Sequence, residues 1–383
     1  MPADQASCQL LRAMVRRNAS ADFVGLSELI ENVQEWDSLI TLALEHGVLP
    51  LLFSWLSDLA LTIPLEAQQR LRREYERNVF HSLANTAELV GLLKTFDSVE
   101  IPAMPLKGLV LAASAYGDLT IRPAGDVDIL IYLRHLEKAT EILLQRGFEI
   151  KRGALVDGKL QDPNSTYEFH FERQTDGMIV ELCWRLELTW SRFTRSRDMD
   201  WLWPRRRTVV LAGAEVPNLD PEATLLVLCM HGSRHVWSRL IWIYDVAQLL
   251  DSHPTLDWKE VTDEAKRLGL VRSLALGVLL ANRVVGISVP QTILERFESD
   301  RTASNLAQHI ESNLFDAPGQ PPKGRMPYSI QLLGPSDRLR LLFSPEALRP
   351  NDRDRASIAL PKSLRVLYYL VRPIRLLFDR STR

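Results

Sequence analysis

Residues 105–131 read PLKGLVLAASAYGDLTIRPAGDVDILI, and the fold class turns on this stretch. It closes on Asp126-Val127-Asp128-Ile129-Leu130-Ile131, whose alternation and β-branching predict a strand. Period two places Asp126 and Asp128 on one face, while Val127, Ile129 and Ile131 point the other way into a core. Upstream, Leu106-Lys107-Gly108 joins a Pro-bounded stretch to a helix-like run, LVLAASAYG. A glycine turn of that kind can present backbone N–H groups and a helix N-terminus to phosphate, and Lys107 adds a point charge. A loop through Arg122, Pro123 and Gly125 leads into the strand.

Working outward, LEKATEILLQRG (136–147) predicts a helix that stops at Gly147. FEIKRGA (148–154) follows as a strand. YEFHFER (167–173) alternates strictly, QTDG (174–177) is a turn signal, and MIVELCWRLE (178–187) is the return strand. Strands and helices thus alternate and then close with antiparallel strands, which predicts an α+β fold with a small mixed sheet. Residues 5–97 carry helical patterning, with a long amphipathic stretch at 65–96. From Pro221 the chain is helical again to about residue 313, and TLLVLCMHGSRHVWSRLIWIYDVAQLL reads as two helices or one bent one. A Pro/Gly-rich linker, FDAPGQPPKGRMPY (315–328), precedes a basic amphipathic segment from Lys362 to Arg380.

Bulk composition narrows the classes. The 383 residues exceed one average domain, and 46% hydrophobic with 25% charged residues suits a soluble protein with a sizeable core. A net charge of -2 argues against long nucleic acid as a partner, since such binding runs on excess Lys and Arg. Cys8, Cys183 and Cys229 are odd in number, far apart and not in metal-like spacing. They predict no disulfide framework, a reducing compartment and a cytoplasmic location. No signal-like apolar region opens the chain, and no apolar run is long enough to span a membrane.

Two carboxylates side by side repel unless a cation lies between them. Divalent ions supply that cation and bridge triphosphate oxygens in an in-line displacement. Acidic residues number 48 of 383, so acid-x-acid pairs arise about six times by chance and context must decide. Here the pair opens an apolar strand behind a glycine turn. Such chemistry also needs a third carboxylate on a neighbouring strand, and Glu181 is the candidate. An unpartnered acid in that apolar strand would be expensive, although a pairing with Arg185 or exposure to water would also account for it.

The run at 105–131 resembles the signature of the uncharacterised nucleotidyltransferase family of the polymerase-β nucleotidyltransferase superfamily. That signature places a Leu-Lys-Gly turn before a Tyr-Gly, an Arg and an Asp-x-Asp strand. YEFHFERQTDGMIVELCWRLE is similar to the family's hairpin, with Cys183 where a His often stands. HGSRHVWSRLIWIYDVAQLL is similar to its His-containing helix and later Trp-x-x-Asp, and LALEHGVLPLLFSWL to its helical lead-in. The resemblance spans roughly residues 36–250. It implies a nucleotidyltransferase core at 98–215, with a helical region at 1–97 before it. A second helical region at 216–314 would border the cleft, and 315–383 would hold the linker and basic segment. It further implies Asp126, Asp128 and Glu181 as catalytic residues and metal ligands, and Lys107 and Gly108 at the nucleotide phosphates. His231 and Asp245 become substrate-contact candidates.

Other features carry two readings each. Arg122 can hold a triphosphate with its fork, or pair with Asp118 or Asp126 and shape the loop. His231 and His235, at i and i+4, suit a metal or helix packing with a hydrogen bond to Asp245. Trp184, Trp190, Trp201 and Trp203 can stack a base or fill a core. The arginines at 192, 195, 197, 205, 206 and 207 form a phosphate or RNA patch, or a solvated loop. The basic C-terminal segment meets a membrane or partner, or buries its apolar face on the body.

The expected reaction is Mg²⁺-dependent (or Mn²⁺-dependent) transfer of an NMP from an NTP to a small-molecule or peptide acceptor, releasing pyrophosphate. Two alternatives stay open: phosphorylation of a peptide on the same core, and a non-catalytic scaffold on a degenerate core.

Overall fold

The computed structural model describes residues 5–16, 23–58, 63–152, 155–156, 159–160, 168–185, 199–316, 318–322, 327–334, 337–338 and 367. The chain opens with helices α1 (Gln5–Val15), α2 (Phe23–Glu31), α3 (Trp36–Glu45), α4 (Leu49–Asp58) and α5 (Leu65–Ser98). Strand β1 (Ala103–Pro105) leads through the Lys107-Gly108 turn into α6 (Gly108–Leu111), which continues as a π-helical turn over Ala112–Tyr116. Gly117, at φ 71°, ends it in the left-handed conformation that glycine tolerates. Then come β2 (Val127–Ile131), α7 (Leu136–Gln145), β3 (Phe148–Arg152), the short pair β4 (Leu155–Val156) and β5 (Lys159–Leu160), β6 (Glu168–Arg173) and β7 (Met178–Cys183).

Five of these strands form one mixed sheet in the order β1-β2-β7-β6-β3. Only β2 and β7 run parallel, with Asp128 opposite Glu181. The fold is α+β, with helices on both sides of the sheet. Every residue of β2 is buried. Val127, Ile129 and Ile131 join Val180, Leu182, Phe169 and Phe171 on one face, packed against α5 (Leu89, Leu92, Phe96) and α7 (Leu136, Ala139, Leu143). On the opposite face Leu130 and Cys183 pack with Met104, Leu202 and Val227. Because side chains alternate along a strand, that second face also carries Asp128, Glu181, His170 and Glu168.

The β6–β7 hairpin turns at Gly177, with φ 70°. A second hairpin, β8 (Arg206–Leu211) with β9 (Ala214–Leu219), occupies sequence that reads as an arginine-rich stretch without apolar period. Its signal was present in TVVLAGAEV. Ala212 and Gly213, at φ 49° and 80°, make a two-residue turn of the kind whose twist suits hairpins.

The remaining helices are α8 (Pro221–Arg234), α9 (Leu240–Ser252), α10 (Trp258–Leu268), α11 (Val271–Leu280), α12 (Gln291–Glu298), α13 (Arg301–Asn313) and α14 (Tyr328–Gln331). Asp220 caps α8 by accepting from Ala223 N, with Pro221 at the first helical position. The chain from α8 to α9 is two helices, not one bent helix. Trp237, fully buried, wedges under the connection. Its ring seats against two glycines: a Cβ at Gly232 would fall 2.5 Å from Trp237 Cε3, and one at Gly277 would fall 2.9 Å from Cη2. That packing holds Val236 and Trp237 at φ 52° and 50°, a conformation non-glycine residues keep only when their surroundings enforce it. These helices and α1, α3 and α4 share the largest core. No helix among the described residues is long and apolar enough to cross a membrane.

Candidate active site

A cavity of about 510 Å³ opens between the second face of the sheet and the α8–α9 corner. Asp126, Asp128 and Glu181 line it together with Lys107, Gly108 and Arg122. Asp126 immediately precedes β2, Asp128 lies within it, and Glu181 stands beside Asp128 on the parallel neighbour. Each of the three acids offers a carboxylate oxygen within 4.8 Å of the others. Residues 55 positions apart in sequence are thereby brought to one point by a single register.

The electrostatics of the cluster follow from crowding and burial. Burial raises Asp128 to about 6, opposed by Lys107 and reinforced by Asp126. Burial likewise raises Glu181 to about 8, with Asp128, Asp126 and Glu168 adding repulsion. The Lys107 ammonium stands 3.0 Å from Asp128 Oδ2. Burial works against its charge, but Asp128, Asp126 and Glu181 outweigh that and raise its pKa. Asp128 Oδ2 is fully buried, and the Lys107 ammonium is the cation that faces it. A buried carboxylate oxygen so placed, with two more acids at hand, suits a hard divalent cation. Lys107 itself sits at φ 46°, ψ -147°, a region nearly reserved for glycine and costing about 1–3 kcal/mol, which persists where surrounding structure fixes it.

The Arg122 fork closes on Asp245 rather than on Asp118 or Asp126. Its Nε and Nη2 donate to the two oxygens of Asp245 at 2.8 and 2.9 Å, and Tyr116 donates to Oδ1 at 2.7 Å. Asp245 is 1% exposed and lies beneath the cavity wall rather than on it. Its carboxylate is occupied by the arginine fork and the phenol. The buried pair ties the loop before Asp126 to α9.

His231 does line the cavity. It packs against His235 and edge-on to Trp242, with centroids 4.8 and 5.0 Å away. Burial first, then Lys107, His235 and Arg234, pushes its pKa well below the usual histidine value, and burial and Arg234 take His235 to about 4. Both rings are neutral near pH 7. Neither belongs to an acidic cluster suited to a metal among the described residues. Trp184 and Trp203 pack against protein, edge-on to Phe169 and stacked on Tyr132, and Trp201 packs against the core. Trp190 lies outside the described residues. Arg205 bonds Asp220 and Glu260, and Arg206 and Arg207 stand exposed on β8. Arg192, Arg195, Arg197 and the Lys362–Arg380 segment, apart from position 367, lie outside the described residues. Cys183 is buried, its thiol 3.5 Å from Ile129 O, and burial keeps its pKa well above the usual thiol value. It fills space beside the acids.

Glu168 and His170 are among the cavity residues that the sequence did not single out, as are Arg152, Arg234 and Arg239. His170 and Glu168 sit on β6 beside Glu181, with His170 as its cross-strand partner. The strict alternation of YEFHFER already put them on one face. The predicted hairpin already placed β6 beside β7; what stayed open was that this pair would share a cavity with Asp126 and Asp128.

Residues 32–286, about two thirds of the chain, match the family described as uncharacterised nucleotidyltransferase. The chain belongs to that family. A nucleotidyltransferase of this family acts on a nucleoside triphosphate and an acceptor. No curated protein matches the chain. Among solved structures it is similar to ANT(2")-Ia in complex with adenylyl-2"-tobramycin, at 14% identity and TM-score 0.34, covering 47% of this chain and 94% of that one. It is also similar to the lincosamide antibiotic adenylyltransferase LnuA, lincomycin-bound, at 14% identity and TM-score 0.31, covering 43% and 94%. A third is an antigenic nucleotidyltransferase-like protein from Paracoccidioides brasiliensis, at 18% identity and TM-score 0.33, covering 58% and 92%. The assignment rests on the family match.

Proposed function

We propose that this nucleotidyltransferase moves an NMP from an NTP to a hydroxyl or phosphate of a small-molecule or peptide acceptor, releasing pyrophosphate, with Mg²⁺ or Mn²⁺. The observation that carries this reading is the meeting of Asp126, Asp128 and Glu181 on a parallel strand pair, each with a carboxylate oxygen within 4.8 Å of the others.

In this reading Asp126, Asp128 and Glu181 hold the metal. When bound, a divalent ion neutralises the triphosphate charge and polarises the α-phosphorus. Lys107 turns from Asp128 toward the phosphates, and the Gly108 backbone approaches them without a side chain in the way. Arg122, committed to Asp245, keeps the Asp126 loop in place rather than gripping phosphate. The acceptor oxygen attacks the α-phosphorus, the bond to the bridging oxygen of pyrophosphate breaks, and the acceptor proton passes to a Glu181 carboxylate oxygen. Catalysis is then positioning and charge neutralisation more than covalent chemistry.

Calorimetry with each NTP, with and without Mg²⁺, tests this on wild type and an Asp126→Asn, Asp128→Asn double variant. Mg²⁺-dependent binding in wild type alone is expected. Mass analysis of an acceptor-supplied reaction should then show addition of a nucleotide. Addition of phosphate only would replace this reading with a kinase. A folded wild type that binds no NTP in the presence of acceptor pools would leave the scaffold reading.

A further inference from the structure

Glu181 has three rotatable side-chain bonds and must be held if its carboxylate is to meet two aspartates. The hairpin supplies the means. His170 lies directly across β6–β7 from Glu181. Its Nδ1 is 3.0 Å from Glu181 Oε1, and its Nε2 is 2.8 Å from Glu168 Oε1. Glu168 is 5% exposed, and Arg234 and Arg152 bring guanidinium nitrogens within 3.6 and 3.9 Å of the same oxygen. The ring is therefore held at its far nitrogen by an acid that is itself buried and flanked by arginines from α8 and β3. Its near nitrogen takes one oxygen of Glu181 and leaves the other.

We propose that His170 is a positioning residue that orients Glu181 toward Asp126 and Asp128, donating from Nδ1 to Glu181 Oε1 while its Nε2 donates to Glu168. This rests on the metal-binding role given to Glu181 above. A bond from beyond the ligands restricts the ligating carboxylate before the ion arrives, and loss of such a partner typically lowers metal affinity about 10–100-fold. The two ring nitrogens can be tested separately. An asparagine amide nitrogen falls near the place of Nδ1, and a glutamine amide nitrogen near that of Nε2.

The experiment titrates Mn²⁺ alone into the metal-free full chain and reads free Mn²⁺ by electron paramagnetic resonance. The proteins are wild type, His170→Ala, His170→Asn and His170→Gln, each checked for folding by circular dichroism. His170→Ala and His170→Gln should bind at least about tenfold more weakly than wild type, and His170→Asn within about threefold of it. Wild-type affinity in His170→Ala overturns the proposal while leaving the metal site standing. Equal affinities of the Asn and Gln variants overturn it too, and that comparison decides the matter if the Ala variant does not fold. Absence of Mn²⁺ binding in wild type itself defeats the metal reading, and this proposal with it.

Discussion

Raising the pH should weaken the metal-free protein through Glu181, and a divalent ion should restore it. Burial and three neighbouring acids carry Glu181 from 4.5 to about 8 in the folded chain. The folded pKa lies above the unfolded one, so the native state holds its proton longer. This contribution to stability is full below pH 4.5 and is lost as pH rises through 8. A shift of that size corresponds to about 5 kcal/mol at most, at 1.36 kcal/mol per unit. Solvent still reaches the carboxylate from the cavity, and screening reduces the effect to roughly 3 kcal/mol. Replacing Glu181 with Gln removes the titration while keeping the shape. Thermal midpoints of both proteins, recorded in EDTA from about pH 5.5 to about 9, should diverge, wild type falling by roughly 5 °C more than the variant. Saturating Mn²⁺ should cancel the wild-type loss at the upper end, because it binds only the ionised, folded cluster. Parallel pH curves for the two proteins would refute the reasoning. So would a Mn²⁺ shift equally large in Glu181→Gln.

Two further outcomes follow from the ion pairs. Lys107 is a cation already installed 3.0 Å from Asp128, so it competes with a metal. Lys107→Met should tighten Mn²⁺ binding about tenfold while weakening NTP binding, and calorimetry with each ligand reads both. Arg122→Ala leaves Asp245 buried at 1% exposure without its counter-charge. It should cost about 3–5 kcal/mol in urea unfolding, and Asp245→Asn in the same background should recover part of the loss.

The pattern of residues 105–131 and 167–187 was enough to read the α+β class, the strand carrying Asp126 and Asp128, and the hairpin carrying Glu181, because turn chemistry and period-two alternation are local. Hydrophobic period likewise predicted helices before and after the sheet. The β8–β9 hairpin was hidden by its arginines, which lie exposed on one strand and so break the apolar pattern without breaking the strand. The family could be recognised from the same motifs, since they are strings of neighbours.

Other properties depend on pairs distant in sequence. Arg122 offered Asp118 and Asp126 as local partners, yet its fork closes on Asp245, 123 residues away, because α9 packs against the loop and excludes water from both groups. Asp245 is thus a buried anchor for that loop. Glu168 and His170 alternate in plain sight beside Glu181 on the predicted hairpin, but their meeting with Asp126 and Asp128 was decided by β2 lying next to β7. Local sequence determines period, turns and the supply of carboxylates. Strand order and helix packing decide which of those charges meet, because a charge's partner and its desolvation are set by whatever the fold brings within a few ångströms.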